Sequence, residues 1–389
     1  MKIILLIDDY LPSTKSAPMM IHDLGQAFLR RGDTVTIITP SHHILSSSMT
    51  MEDGMEVIRF RSGKLKNIGF LRRAINELTL PFFLLLHWIF DPKIRKPDLI
   101  ISYSPTIFWG SAIAIIKKIT HAKNFLILRD IFPQWAVDSG IIRKYSPITL
   151  FFRIYEIINY AAADKIAVQS PGCCQYFQNS VFKKKIKVLY NWVYPLKNYP
   201  PPNDFRQKYH WEDKVIFFYG GNIGLAQDMD NLMRLAHAMK EYPQARFLII
   251  GKGDAEELIK RRMKEWELTN TLLLPAVSQQ EYMQVLMQCD IGMITLHPNH
   301  RTQNIPGKLL GYLNLGKPIL ASVNSGNDLL TMIPEYHAGF ASINPNDGLL
   351  QKNAIALLDK DSREKMKSGV HHLLKEKFDV NTAVDKIIS

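Results

Sequence analysis

The chain predicts an α/β protein made of two parallel-sheet domains, and two observations carry that prediction. Short apolar runs alternate with amphipathic stretches, in one series that begins at residue 3 and a second that restarts at residue 215. Between the two lies Tyr190-Asn-Trp-Val-Tyr-Pro-Leu-Lys-Asn-Tyr-Pro-Pro-Pro-Asn203, whose four prolines suit neither a long helix nor a central strand. A chain of 389 residues is also too long for one ordinary core. The expected division is 1–195 and 205–371, with the linker at about 190–203.

The elements follow in order. Ile3–Ile7 and Thr34–Thr39 read as strands around a helix from Met19 to Arg31, stopped by Gly32. Asp98–Tyr103 and Asn124–Leu128 are apolar runs flanking a helical stretch, Trp109–Lys118, and Lys165–Val168 and Ile186–Leu189 continue the series. The second series runs Val215–Tyr219, Arg246–Ile250, Thr271–Leu274, Ile291–Leu296 and Ile319–Val323. Its helices fall near 229–239, 255–266 and 280–287 and from Lys308. Alternating βα units imply parallel sheets covered on both faces, hence two Rossmann-like domains.

Composition narrows the class. A hydrophobic share of 47% with 22% charged residues is that of a folded soluble chain. Three cysteines, two of them adjacent, cannot build a disulfide framework, so a reducing, cytoplasmic setting is expected. The first residues turn acidic at Asp8-Asp9 and read as a buried strand, not a leader. The net charge of +12 lies wholly in residues 1–200, which hold 26 basic and 14 acidic side chains. The clusters Lys64/Lys66/Arg72/Arg73, Lys93/Arg95/Lys96 and Lys183–Lys187 point to an anionic partner for the first domain. Each basic residue near an anionic leaflet contributes roughly 1 kcal/mol. No nucleic-acid motif is present, so the inner membrane surface is the expected partner. The stretch 78–90 is too short to span a bilayer and reads as a core helix or an interfacial one; its basic flanks favour the interfacial reading.

Three glycine-bearing turns fall at strand ends of the second series: Tyr219-Gly-Gly-Asn-Ile-Gly224, Ile249-Ile-Gly-Lys-Gly-Asp254 and the loop 304–308 that opens Asn304-Ile-Pro-Gly-Lys308. Doubly wound sheets bind ligands beyond the carboxyl ends of their strands, so two facing domains are expected to enclose a cleft there. A loop entering a helix through Pro306-Gly307-Lys308 sets backbone N–H groups beside an ammonium, which suits a phosphate.

These segments resemble the family 4 glycosyltransferases of bacterial surface-polysaccharide synthesis. The resemblance extends to Cys289–Leu296, Leu29–Thr39, Leu128-Arg-Asp-Ile-Phe-Pro-Gln-Trp135 and Val188–Val193, which with the turns at 219–224 and 249–254 make six motifs in order over nearly the whole chain, beside the loop 304–308. It implies the GT-B fold, with the acceptor domain first, the nucleotide-sugar domain second, and the final helix, about 372–389, crossing back to the first. It also implies a retaining, metal-independent transfer from a nucleotide diphosphosugar to a polyprenyl-linked glycan. The donor contacts it implies are Gly220, Gly221, Asn222, Gly251, Lys252, Val277, Arg301, Gln303, Pro306, Gly307, Leu309 and Leu310.

Without a metal, the charge growing on a diphosphate leaving group needs cations and aligned N–H groups. Lys308 is the first expected cation, exposed in the cleft beside the N–H groups of Leu309 and Leu310; Arg301 and Lys252 follow. Asp130 is the expected polar group near the reacting hydroxyl, with a helix-capping role as its rival reading. Many relatives carry two glutamates around this loop, at positions that are Gln303 and Gly311 here. A UDP-sugar epimerase or hydrolase and a non-catalytic partner subunit stay open as alternatives on the same fold.

Overall fold

A computed structural model describes the chain except residues 14, 45, 66–67, 93, 196–200, 202 and 300–304. The chain forms two compact units, Met1–Asn191 with Val380–Ser389, and Trp192–Asp379.

The first unit is built on eight strands: β1 Lys2–Leu6, β2 Thr34–Ser41, β3 Ser48–Glu52, β4 Met55–Arg61, β5 Leu99–Tyr103, β6 Lys123–Leu128, β7 Lys165–Val168 and β8 Ile186–Val188. Their order is β3-β4-β2-β1-β5-β6-β7-β8, parallel except for the β3–β4 pair. The β3–β4 hairpin is absent from the sequence reading. Its signal is Asp53-Gly54, which takes positive φ (48° and 82°), as a tight two-residue hairpin turn requires. β1 and β5 are fully buried inside their ends, as strands covered on both faces must be.

The register places Ile4 opposite Ile100 and Ser102 opposite Leu126, so these side chains share one face of the sheet. The helices Leu80–Phe90 and Trp109–Thr120 pack on it through Leu80, Leu84, Trp88, Trp109, Ala112, Ile113 and Ile116. Pro147–Ala162 packs beside them, with Tyr160 against Leu126 and Leu128. Within the stretch 78–90 the helix Leu80–Phe90 is thus docked on the sheet by one side. Its other side leaves Phe82, Ile89 and Phe90 exposed. On the opposite face of the sheet, Ser16–Arg30 packs with the final helix, Val380–Ile388, which buries Val380, Ala383, Val384 and Ile387 at helical spacing.

The second unit has six parallel strands: β9 Val215–Asn222, β10 Ala245–Lys252, β11 Thr271–Pro275, β12 Ile291–Thr295, β13 Ile319–Val323 and β14 Gly339–Ile343. Their order is β11-β10-β9-β12-β13-β14. β14, the other strand absent from the sequence reading, begins at Gly339, whose φ of 145° and missing side chain let it lie against Ile319; a Cβ would sit 2.0 Å from the Ile319 carbonyl oxygen. In each sheet the chain order reverses once, between β1 and β5 and between β9 and β12. Those reversals open crevices at the carboxyl ends of the strands, where ligands of such sheets bind.

Candidate active site

At the β9–β12 reversal the residues converge on one ammonium. Lys308 opens the helix Lys308–Asn314, and its stem is partly exposed while Nζ is buried with no hydrogen-bond partner among the described residues. Nζ lies 3.3 Å from the centre of the Tyr219 ring, at the end of β9. An ammonium over an aromatic face is attracted to it, but a ring cannot replace a hydration shell. Burial accordingly holds the Lys308 pKa well below the ordinary lysine range. The expectation of an exposed Lys308 is corrected: its amino group is sheltered over the Tyr219 ring.

The helix is held in place by Tyr312, whose hydroxyl donates to the Met293 carbonyl at 3.1 Å. Gly292 leaves space for that ring; a Cβ there would fall 2.3 Å from it. Tyr219 is fixed in turn by donating from its hydroxyl to the Asn222 carbonyl at 2.6 Å. Next to the ammonium, Gly221 (φ 117°) offers bare backbone: a Cβ there would meet only the Lys308 Cε, at 4.0 Å. Gly221 and Asn222 are exposed at the strand end and pair in register with Gly251 and Lys252 of β10.

Several expected roles change. Gly220 is explained by Tyr282, whose ring a Cβ would strike at 2.4 Å, and Gly251 by the Gly221 carbonyl oxygen, 1.9 Å away. These two glycines serve the packing of the chain on itself, where the sequence suggested room for a ligand. The N–H groups of Leu309 and Leu310 donate to the carbonyls of Pro306 and Gly307, both at 3.1 Å, so they are engaged locally, and the Leu309 side chain is buried in the core. Pro306 is half-buried and Gly307 exposed, and Lys252 is exposed at the tip of β10. Val277 is half-buried on the loop after β11, at the same edge of the sheet but two strands from β9. Arg301 and Gln303 lie outside the described residues. At Gly311, where the resemblance implies a carboxylate, a Cβ would meet only Leu286 among the described residues, at 3.4 Å. Gly311→Ala is therefore expected to stabilise the protein by about 0.5–1 kcal/mol, read from the midpoint of urea unfolding.

The β1–β5 reversal of the first unit carries its own crevice, a cavity of about 380 Å³. Leu65, Ala74, Phe108, Phe132, Trp135 and Phe152 make its apolar wall, and Lys15, Arg73, Glu77 and Asp130 are its charged groups. Asp130 follows β6 and opens to solvent at this cavity. It caps no helix: the next one starts at Gln134 with Pro133 at its cap position. The crowded walls raise the Asp130 pKa, against the pull of Arg129 and then Arg73. Glu77 is buried beside it and paired with Arg73 at 2.6 Å, and burial pushes its pKa up. Sequence reasoning missed Glu77, which follows Arg73 at i+4, a spacing that brings the two together on a helix. Gln134 is tied to Asp138 at 2.7 Å and to Arg153, so it holds no free base position. Among the described residues no three His, Cys, Asp or Glu side chains gather as metal ligands.

Residues 202–371 match the family described as Glycosyl transferases group 1. The probable glycosyltransferase WbjE of Pseudomonas aeruginosa is 24% identical over 260 residues, covering 66% of this chain and 64% of that protein. The putative colanic acid biosynthesis glycosyl transferase WcaI of Escherichia coli K12 is 21% identical over 230 residues, 57% of this chain and 56% of that protein. The chain thus matches less than two thirds of the length of either relative. Among solved structures, Anabaena Alr3699/HepE in complex with UDP superimposes with a TM-score of 0.68 at 16% identity, covering 100% of this chain and 98% of that one.

Proposed function

Because residues 202–371 form a group 1 glycosyltransferase domain within a two-sheet GT-B fold, we propose that the protein is a retaining glycosyltransferase of surface-polysaccharide biosynthesis. It moves a sugar, an N-acetylhexosamine, from a UDP-linked donor to a polyprenyl-linked glycan of the O-antigen or capsule class. The acceptor is met at the inner face of the cytoplasmic membrane. The observation that carries this reading is the buried amino group of Lys308 over the Tyr219 ring, with no hydrogen-bond partner among the described residues, next to bare backbone at Gly221. Burial penalises the charged form of Lys308, and a diphosphate is a group whose charge would offset that penalty.

In the reaction, the bond between the sugar's anomeric carbon and the diphosphate breaks, and negative charge grows on the departing nucleoside diphosphate. Lys308 stabilises that charge where no water competes. The acceptor hydroxyl adds to the anomeric carbon and loses its proton. We assign the hydroxyl's contact to Asp130 of the first unit; its pKa, raised by burial, suits a carboxylate that accepts the proton the hydroxyl gives up. Names of relatives that include colanic acid biosynthesis, and a neighbour solved with UDP, support the substrate class.

The test is transfer itself: purified protein, a panel of UDP-sugars and a polyprenyl-diphosphate-linked saccharide, read by mass spectrometry. Addition of one sugar mass to the acceptor is the expected result; nucleotide release without a glycosylated product would favour a hydrolase. Excess EDTA is expected to leave the rate unchanged, since in this proposal Lys308 meets the diphosphate and no set of three metal-ligating side chains gathers among the described residues. Loss of transfer with EDTA and its return with Mg²⁺ would remove metal independence from the proposal.

A further inference from the structure

The three helices on the β1/β5/β6 face of the first unit are amphipathic in an unusual way, because their outward sides are apolar too. Leu80–Phe90 exposes Phe82 (59%), Ile89 and Phe90 (76%), and Trp109–Thr120 exposes Ile115 and Ile119 (60%). Pro147–Ala162 exposes Leu150 (65%), Ile154 (50%) and Ile157 (53%), at i, i+4 and i+7. The helices adjoin: Leu80–Phe90 packs on Trp109–Thr120, which in turn meets Pro147–Ala162 so closely at Gly110 that a Cβ would lie 2.4 Å from the Asn159 Cα. Their outer sides therefore make one continuous apolar surface. The helix on the opposite face of the same sheet, Ser16–Arg30, turns His22, Asp23, Gln26 and Arg30 outward, as a helix facing water does. Continuous apolar exposure on this scale marks an interaction surface.

Charge decides what covers it. Across the three helices the one carboxylate is Glu156, which is buried and held by Arg153 and Tyr160, so their outward sides carry no negative charge. Lys118 stands exposed among them, and Arg143, Lys144 and the exposed Tyr145 (88%) precede the third helix. The clusters that the sequence offered for membrane binding are partly engaged elsewhere. Arg95 donates to the Ile89 carbonyl at 2.8 Å, Lys185 to the Ala163 carbonyl at 2.6 Å, and Arg73 pairs with Glu77; Lys66 and Lys93 lie outside the described residues. Cations at the ends of helices satisfy carbonyls that the helix leaves open. An apolar surface without carboxylates and with basic and tyrosine edges is complementary to an anionic leaflet, whose headgroups attract the cations while the acyl region takes the leucines, isoleucines and phenylalanines.

We infer that the apolar outer surface of helices Leu80–Phe90, Trp109–Thr120 and Pro147–Ala162 docks the protein onto an anionic phospholipid bilayer. The helices lie on the membrane and insert side chains; none spans it. This deepens the lipid-linked reading given above and rests on it for its biological setting, yet the two fail separately. Transfer to a soluble saccharide reports on the active site, and flotation reports on the surface.

The experiment is flotation of the full chain with vesicles of phosphatidylcholine, with and without phosphatidylglycerol, across a salt series. Electrostatic attraction is screened within about 3 Å at about 1 M salt, so binding that persists there is apolar insertion. The wild type is expected to float with anionic vesicles and to keep part of that binding at high salt. Combining Leu150→Gln, Ile154→Gln and Ile157→Gln is expected to lower vesicle binding by roughly tenfold or more, with UDP-sugar binding and melting temperature unchanged. The pair Ile115→Gln and Ile119→Gln gives the same test on a second helix. Wild-type flotation by the folded variants would overturn the inference. So would a wild-type dimer in sedimentation velocity that the triple variant dissolves while vesicle binding stays intact, because the surface would then belong to a second copy of the chain.

Discussion

Lys308→Ala is expected to lower kcat/KM by roughly 10²–10³, the scale of losing one preorganised charge at a developing anion. The loss should fall mainly on kcat, since the leaving group carries more charge in the transition state than in the bound donor. Folding should not suffer: removing a buried amine that has no partner relieves a desolvation penalty, so the unliganded variant should melt no lower than wild type. The same residue ties binding to protons. Burial depresses the Lys308 pKa in the free protein, and a bound diphosphate beside it favours the charged form and raises it again. Between those two pKa values, binding of UDP takes up a proton and affinity falls as pH rises. Calorimetric titration of UDP in two buffers of different ionisation enthalpy reads this uptake directly, and Lys308→Ala should abolish it. Turnover near wild type in the variant would remove Lys308 from the mechanism.

Gly251→Val should act through the backbone and take stability and binding together. Its Cβ would fall 1.9 Å from the Gly221 carbonyl oxygen, and both positions belong to paired strands, β9 and β10, that have no side chain to rotate away. The strand ends must part, which costs about 3 kcal/mol or more, at the upper side of overpacking penalties. Their separation also displaces Tyr219 from beneath Lys308. Urea unfolding should show the loss of stability, and UDP binding should weaken in protein that remains folded. A variant as stable as wild type would mean that the two strand ends tolerate more separation than their register allows.

The two substitutions mark what was legible in the chain. The alternation of apolar runs is enough to find most strands, because a parallel strand covered on both faces has to be apolar throughout, as Leu99–Tyr103 and Ile319–Val323 are. The β3–β4 hairpin escaped that rule because its edge strand is mostly exposed and polar (Ser48–Glu52), and only the Asp53-Gly54 turn signals it. β14 escaped for a similar reason, with partial exposure along Gly339–Ile343. Pro306-Gly307-Lys308 identifies a cation at a helix start. That its ammonium is sealed against Tyr219 follows from where the sheet order reverses, and Tyr219 lies 89 residues earlier in the chain. Gly251 shows the converse limit. A glycine at a strand end reads the same whether it admits a ligand or another stretch of backbone, and only the neighbouring Gly221 carbonyl decides between them.

The placement of Val380–Ile388 in the first unit governs the order in which the protein can be completed. Domains usually fold as they emerge from the ribosome, the N-terminal one first. Here residues 1–191 leave the ribosome without the helix that packs on Ser16–Arg30, and receive it only after all of Trp192–Asp379 has been made. Until then the apolar side of Ser16–Arg30 that this helix covers is open, a natural landing place for a chaperone. Cutting the gene at residue 191 therefore yields one piece that is self-sufficient by contacts and one that needs a ten-residue peptide supplied in trans. A short C-terminal deletion, which in most enzymes trims a loose end, should here expose nascent and mature chains alike to aggregation.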